Sequence, residues 1–114
     1  MPFLSYFINP KGLKEYTPEE FLGEISSEHS VVIDVRTSIE FNHGHLKSAI
    51  HIPLSSFREQ MSGLNRDARY YLVCATGHRS RAAATMMIKN GFKEVSHLKG
   101  GMMAMNRYEK RKER

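Results

Sequence analysis

The sequence predicts an α/β fold in which a mainly parallel central sheet of about five strands carries helices on both of its faces. Residues 31–35 form a β-branched and almost entirely apolar run, which is typical of a strand buried on both faces of a parallel sheet. Strand-like and helix-like segments then alternate along the chain. This alternation indicates an α/β domain, because helical crossovers are the usual connection between parallel strands.

The first two predicted helices begin at capping motifs. Thr17 and Glu20 have the spacing of a capping box, and Pro18 between them suits the first helical turn. Thr37 and Glu40 repeat this pattern and open a short second helix. One helix is therefore expected before the buried strand and another directly after it.

The remaining elements continue the alternation. Further strands are predicted at 49–52, 70–73 and 94–98. Further helices are predicted at 55–61, from Ser80 to the Asn90-Gly91 stop signal, and after Gly100-Gly101. Ligands of such sheets bind beyond the carboxyl ends of the strands, so the loops that follow the strands are where a site is expected.

The chain has the size and composition of one globular domain covering residues 1–114. It is 40% hydrophobic and 25% charged. No apolar run approaches the roughly 18 residues of a membrane-spanning helix, and residues 3–8 form too short a run for the core of a signal peptide. The single cysteine excludes an internal disulfide and suits a reducing compartment. We therefore expect a cytoplasmic protein with no membrane partner.

The net charge of +5 owes much to residues 107–114, which contain five basic and two acidic side chains. Such a segment can contact an anionic partner such as nucleic acid. It can equally be a solvated helix end, where basic side chains complement the negative end of the helix dipole. The interspersed acids favour the helix end, so we expect no nucleic-acid partner.

The one cysteine lies where a strand gives way to a helix. An apolar run leads into Cys74, a polar turn with Gly77 and Arg79 follows, and an alanine-rich helical stretch leads away. Unpaired N–H groups and the positive dipole at a helix N-terminus stabilise a thiolate over a thiol. A lone cysteine is often just a small buried hydrophobe, but a glycine, a histidine and an arginine do not continue a core strand. Cys74 is therefore the candidate nucleophile.

From residue 17 to about 108 the sequence resembles the single-domain rhodaneses, a family of sulfurtransferases. The shared motifs follow the family's order along the chain. They are Asp34-Val35-Arg36 with Glu40-Phe41, then Gly44-His45-Leu46 and 49–53, the Cys74 loop with Arg79-Ser80, and Gly91-Phe92 through Gly100-Gly101. Ser48 replaces a frequent glycine, and Met105 stands where a tryptophan is common.

The resemblance implies a small cytoplasmic sulfurtransferase. Cys74 would take the outer sulfur of a small anionic donor such as thiosulfate, carry it as a persulfide, and pass it to cyanide or a thiol, including a protein thiol. The implied substrate-binding loop consists of Ala75, Thr76, Gly77, His78 and Arg79. Its backbone N–H groups would surround an anion, and Arg79 would clamp the donor. No cofactor is implied.

Other chemistry-bearing residues have simpler interpretations. Asp34, Arg36 and Glu40 could serve acid–base catalysis, but an internal ion pair that holds the first motif beside the loop explains them better. His43 and His45 lack the partners of a metal site, so no metal is expected. The methionines at 86, 87, 102, 103 and 105 are expected to pack in the core.

Two rival functions remain for this pattern. Cysteine phosphatases and arsenate reductases also cradle an anion before a helix. Their loop has one residue more between cysteine and arginine than the four between Cys74 and Arg79, and Ser80 stands where that arginine is needed. The second rival is a non-catalytic interaction module of the same family. Members of that kind have lost the cysteine, and this chain retains it.

Overall fold

The protein is an all-parallel five-stranded sheet with helices on both faces, which confirms the predicted fold class. The computed structural model describes residues 10–113, so the apolar run at 3–8 and the terminal Arg114 lie outside it. The strands are β1 (Leu13–Tyr16), β2 (Ser30–Asp34), β3 (Ile50–His51), β4 (Arg69–Val73) and β5 (Glu94–Leu98). The helices are α1 (Pro18–Ile25), α2 (Ser38–Asn42), α3 (Leu54–Met61), α4 (His78–Lys89) and α5 (Gly101–Lys112).

The sheet order is β1-β5-β4-β2-β3, and every neighbouring pair is parallel. β4 therefore lies in the middle, between β5 and β2. Because the strands are parallel, the segments that follow these three strands all leave the sheet at its carboxyl end. The Cys74 loop therefore lies between the segments that carry the first and last motifs of the sequence.

Each face of the sheet has its own core. Phe57 of α3 and Met87 of α4 are fully buried on one face, in a cluster that also contains Cys74. Phe21 of α1 and Met105 of α5 are buried on the other. Met103 does not join the core as expected, because it is 53% exposed. On α5 the buried positions are 102 and 105, three residues apart, and residue 103 is rotated away from that face.

Both predicted capping boxes are present. The Thr17 side chain accepts from the Glu20 N–H while the Glu20 carboxylate accepts from the Thr17 N–H, and Thr37 with Glu40 repeats this arrangement. Helix α4 begins at His78, two residues before the predicted start at Ser80. The earlier start arises because Gly77 adopts a left-handed conformation, with φ of 103°, and turns the chain directly into the helix.

β1 was not located by the sequence analysis. Its segment, Leu13–Tyr16, contains two charged residues and, within residues 10–113, pairs with β5 alone. An edge strand needs less apolar surface than a central one, so the hydrophobic signal is weak. Among residues 10–113, no helix combines the length and apolar character needed to cross a membrane.

Candidate active site

Cys74 follows the last residue of β4, and its sulfur points toward the start of α4. The backbone N–H of Gly77 donates to Cys74 Sγ over 3.0 Å, and Ser80 Oγ lies 3.5 Å from the same sulfur. Gly77 is the N-cap of α4, so the sulfur lies at the positive end of that helix. The structure thus gives Cys74 polar contacts that a purely structural core cysteine does not need.

Reactive cysteines are usually partly exposed, but Cys74 is 0% exposed in this structure. The loop closes over the sulfur, and the N-terminus of α5 holds it there. The N–H of Met102 donates to the Cys74 carbonyl over 2.8 Å, and the N–H of Met103 donates to the Ala75 carbonyl over 3.0 Å. Two otherwise unpaired amides of α5 therefore fix the peptide groups on either side of Ala75.

Gly101 makes this closure possible. Its φ is 63°, and a Cβ at this position would overlap the carbonyl groups of Cys74 and Ala75. Glycine is needed both for the backbone angle and for the close approach of α5 to the loop. The double glycine of the last motif is thereby linked to the position of the cysteine.

Arg79 lies in the first turn of α4 and is paired with Glu40 of α2. The two guanidinium nitrogens donate to the two carboxylate oxygens over 2.7 and 2.9 Å. This bidentate pair lowers the pKa of Glu40 to about 2, and hydrogen bonding to Glu40 raises the pKa of Arg79. A thiolate at Cys74 acts on Arg79 in the same direction. Arg79 is therefore held by Glu40 in the closed loop, and its predicted role as a donor clamp stays a prediction.

Asp34 and Arg36 form a separate buried ion pair. Arg36 Nη2 donates to Asp34 Oδ2 over 2.8 Å and to the Gly44 carbonyl over 2.7 Å. The Arg36 backbone N–H also donates to the Asp34 carboxylate. This pairing ties the chain after β2 to the turn at Gly44, while Glu40 alone of the three predicted support residues joins Arg79 of the loop.

The other predicted loop residues face outward. Thr76 and His78 are exposed, and Ala75 is partly buried. Of the predicted amide ring, the Gly77 N–H is the one shown donating to the sulfur, and convergence of the others on a bound sulfur stays a prediction.

Sequence reasoning missed two residues that the fold brings behind the cysteine. Ser80 Oγ lies 2.8 Å from His97 Nδ1, and His97 Nε2 lies 2.9 Å from Glu15 Oε2. His97 is 0% exposed in β5, and Glu15 belongs to β1. An ionisable residue inside the otherwise apolar end of a central strand was the one available signal, and its partner lies in the strand that escaped prediction.

Residues 10–113 contain no group of three or more His, Cys, Asp or Glu side chains able to hold a metal ion. His43 Nδ1 lies 2.8 Å from the Ile39 carbonyl. His45 stacks on Phe41, with ring centroids 3.8 Å apart. Both histidines thus have local contacts within the segment after β2.

Comparison with known proteins agrees with this geometry. The family model described as the rhodanese-like domain matches residues 17–107. Two relatives from Bacillus subtilis are the "Putative sulfur carrier protein YrkF", 34% identical over 95 residues, and the "Uncharacterized protein YqhL", 37% identical over 97 residues. These matches cover 82% and 85% of this chain, and 51% and 75% of the relatives. The chain thus spans about half the length of YrkF.

Among solved structures, a rhodanese-related protein from Thermoplasma volcanium superimposes with a TM-score of 0.75 at 29% identity. The superposition covers 83% of this chain and 92% of that protein. The family match extends from the cap of α1 into α5 and includes every segment that surrounds Cys74. The protein therefore belongs to the rhodanese-like domain family.

Proposed function

We propose that the protein is a sulfurtransferase that moves a sulfane sulfur from a small anionic donor such as thiosulfate to a thiophilic acceptor through a persulfide on Cys74. The observation that carries the proposal is the Gly77 N–H donating to Cys74 Sγ at the N-terminus of α4. A dipole aimed at the sulfur stabilises both a thiolate and the terminal sulfur anion of a persulfide. The sulfur carrier name of the relative YrkF supports the same class of chemistry.

The reaction balances in two steps. The Cys74 thiolate attacks the outer sulfur of thiosulfate, an S–S bond forms at Cys74, and the donor's S–S bond breaks with its electron pair leaving on sulfite. The acceptor, cyanide or a thiolate, then attacks the outer persulfide sulfur, and the Cys74–sulfur bond breaks to return the thiolate. Neither step changes the total charge, so the site needs an environment favourable to anions throughout.

Access to the sulfur requires movement of the loop, because Cys74 is fully buried. The backbone at Cys74 and Ala75 is tied down by α5, whereas Thr76 and His78 are exposed. The exposed outer part of the loop is therefore the segment that a donor displaces. Small anions suit this route better than bulky ones.

The structure argues against the phosphatase alternative at one position. Ser80 stands where a cysteine phosphatase loop would need its arginine, and the Ser80 hydroxyl is buried against His97. Arg79, one residue earlier, is paired with Glu40. No guanidinium is thus presented from the phosphatase position.

Incubation with thiosulfate tests the proposal. Intact mass measurement should show one added sulfur atom, and cyanide should remove it as thiocyanate. The Cys74→Ser variant should gain no sulfur and form no thiocyanate, because it lacks the nucleophile. An unchanged rate in that variant would refute the assignment. Phosphate release from an aryl phosphate without any mass gain from thiosulfate would favour the phosphatase instead.

The acceptor and the compartment belong to the same proposal. A small thiol or a protein thiol is the acceptor that a persulfide can serve in a reducing cytoplasm, and a chain with a single cysteine suits that compartment. The basic side chains Lys110, Arg111 and Lys112 lie in the last turn of α5, where they complement the helix dipole. They therefore give no separate reason to propose a nucleic-acid partner.

A further inference from the structure

We propose that Ser80 and His97, which are buried, and Glu15, which is partly exposed, form a relay that takes the thiol proton from Cys74, so that the thiolate forms while the loop is closed. The inference rests on the proposed function, since it concerns activation of the same sulfur. Ser80 touches the reacting atom, whereas His97 and Glu15 act through Ser80 and are positioning residues.

The need for a relay follows from burial. Cys74 and Ser80 are each 0% exposed. A thiol proton in the closed loop therefore has no direct route to bulk water. A protein group within reach must accept it, and Ser80 Oγ is 3.5 Å from Sγ, within the longer hydrogen-bond distance of sulfur.

The contacts form a continuous chain from the sulfur to the edge strand. Ser80 Oγ lies 2.8 Å from His97 Nδ1, and His97 Nε2 lies 2.9 Å from Glu15 Oε2. Glu15 Oε2 is also 3.5 Å from Arg81 Nη2. The groups that face His97 are thus Glu15 from β1, Arg81 and Ser80 from α4, and, through Ser80, Cys74 after β4.

The carboxylate fixes the direction of every hydrogen bond in the chain. An ionised Glu15 only accepts, so His97 Nε2 must carry a proton. In a neutral imidazole this leaves Nδ1 as an acceptor. The Ser80 hydroxyl has two acceptors within reach, the Gly77 carbonyl at 3.1 Å and His97 Nδ1 at 2.8 Å, and in the relay it donates to the nearer one, Nδ1. The Ser80 oxygen is then free to accept from the Cys74 S–H. Each group on the path from Cys74 to His97 thus donates to the next, and His97 Nδ1 is the atom that can take up the proton.

Proton transfer along this chain balances. The Cys74 S–H bond breaks as its proton joins Ser80 Oγ, and the original Ser80 O–H bond breaks as that proton joins His97 Nδ1. The sulfur keeps the electron pair. The products are a thiolate, an intact hydroxyl and an imidazolium, with no change in total charge. Glu15 then faces the imidazolium, and Gly77 N–H faces the thiolate.

Burial is the main cause that lowers the pKa of His97, and the positive charge of Arg81 lowers it further. The hydrogen bond to Glu15 acts in the opposite direction and raises it. While Cys74 keeps its proton, His97 therefore tends to remain neutral, which leaves Nδ1 able to accept that proton. The carboxylate favours its charged form at the moment of transfer. The same arrangement returns the proton to sulfur when the thiol is restored.

The ultraviolet absorbance of the thiolate tests the relay without any sulfur donor. Its pH titration in the full chain is read against Cys74→Ser as the baseline, because that variant contains no thiol. His97→Asn retains an amide that can bond Ser80 but cannot take a proton at neutral pH. We expect the midpoint of the thiolate signal to rise by about one pH unit, a tenfold loss of thiolate below it. Ser80→Ala should raise it comparably, and the double variant should add little.

Ser96→Ala is the matched control. Ser96 is a buried neighbour on the same strand, and its hydroxyl donates to the Tyr70 carbonyl instead. It should leave the midpoint unchanged. The relay is overturned if the thiolate midpoint moves no further in His97→Asn than in Ser96→Ala. It is also overturned if Ser80→Ala shifts the midpoint while His97→Asn does not.

A second measurement needs no variant and so does not depend on folding of a mutant. Nitrogen NMR of His97 in the wild-type protein, at a pH at which the ring is neutral, should show the ring proton on Nε2. A proton on Nδ1 of the neutral ring would overturn the proposal. Failure of thiosulfate to load Cys74 would refute the proposed function instead, and the titration would still be readable.

Discussion

At the scale of single residues, Glu40 has two tasks. Its carboxylate completes the capping box of α2 by accepting from the Thr37 N–H, and it holds Arg79 of the cysteine loop through two hydrogen bonds. Glu20 has the same capping position in α1. A comparison of the two glutamates therefore distinguishes the contribution of the ion pair with Arg79 from that of the helix cap.

Glu40→Gln should lower the free energy of unfolding by about 1 kcal/mol at pH 7, a value reduced for the partial solvent exposure of the pair. The pKa of Glu40 is about 2 in the folded protein against 4.5 ordinarily. A depressed pKa stabilises the fold above the ordinary value, and this stabilisation is lost as the pH falls from about 4.5 to about 2. Urea unfolding at several pH values measures the effect.

Glu20→Gln is the control for that experiment, because it alters an equivalent cap without a loop arginine. A smaller loss is expected in this variant. Equal losses in the two variants would show that the pair with Arg79 contributes nothing to stability beyond the cap.

At the scale of elements, the N-terminus of α5 positions the cysteine loop. The amides of Met102 and Met103 bind the carbonyls of Cys74 and Ala75, and Gly101 allows the contact. The last motif of the sequence thus acts on the motif that carries the nucleophile, although most of α4 lies between them in the chain.

Gly101→Ala should destabilise the protein by more than about 1 kcal/mol, because the new methyl group meets backbone atoms at a positive φ. It should also slow sulfur loading from thiosulfate more than about tenfold, a barrier increase of about 1.4 kcal/mol, because the loop backbone must shift. Thermal unfolding and loading rates measure the two effects.

Gly23→Ala is the matched control in α1, where a Cβ would meet nothing within 4 Å. Alanine is the better helix former, so this variant should be slightly more stable than the parent and load sulfur normally. Equal behaviour of the two alanine variants would contradict the role given to Gly101.

Features that depend on residues close together in the sequence could be predicted from it, whereas features that depend on contacts between distant residues could not. The caps at Thr17 and Thr37 were predicted because each is complete within four residues. The bounds of β5 were predicted because its ends carry turn signals. The burial of Cys74 was not, because it results from packing in a cluster with side chains of other elements, such as Phe57 of α3 and Met87 of α4. The pairing of His97 with Glu15 joins residues 82 positions apart, and no local pattern reports it.

At the scale of the whole molecule, the sheet separates two apolar cores that share its strands. Phe57 is buried on one face and Phe21 on the other, and both are 0% exposed. The parallel strands between them pair continuously from β1 to β3. The described chain is thus expected to unfold as one unit.

Phe21→Leu and Phe57→Leu should each cost about 1–2 kcal/mol, as the smaller side chain leaves space in a packed core. Because the two sites share no partner, the double variant should lose the sum of both within about 0.5 kcal/mol. Denaturant unfolding followed by circular dichroism and by tyrosine fluorescence gives the measurement. Two separate transitions would contradict a single cooperative domain.

The hydrogen bonds between the N-terminus of α5 and the cysteine loop also matter during synthesis of the protein. Cys74 is synthesised before α5, so the carbonyls of Cys74 and Ala75 lack their hydrogen-bond partners until residues 102 and 103 have been added and folded. A chain that ended before Gly101 could not form these two hydrogen bonds. The backbone of the cysteine loop therefore reaches its final position only late in the making of the protein.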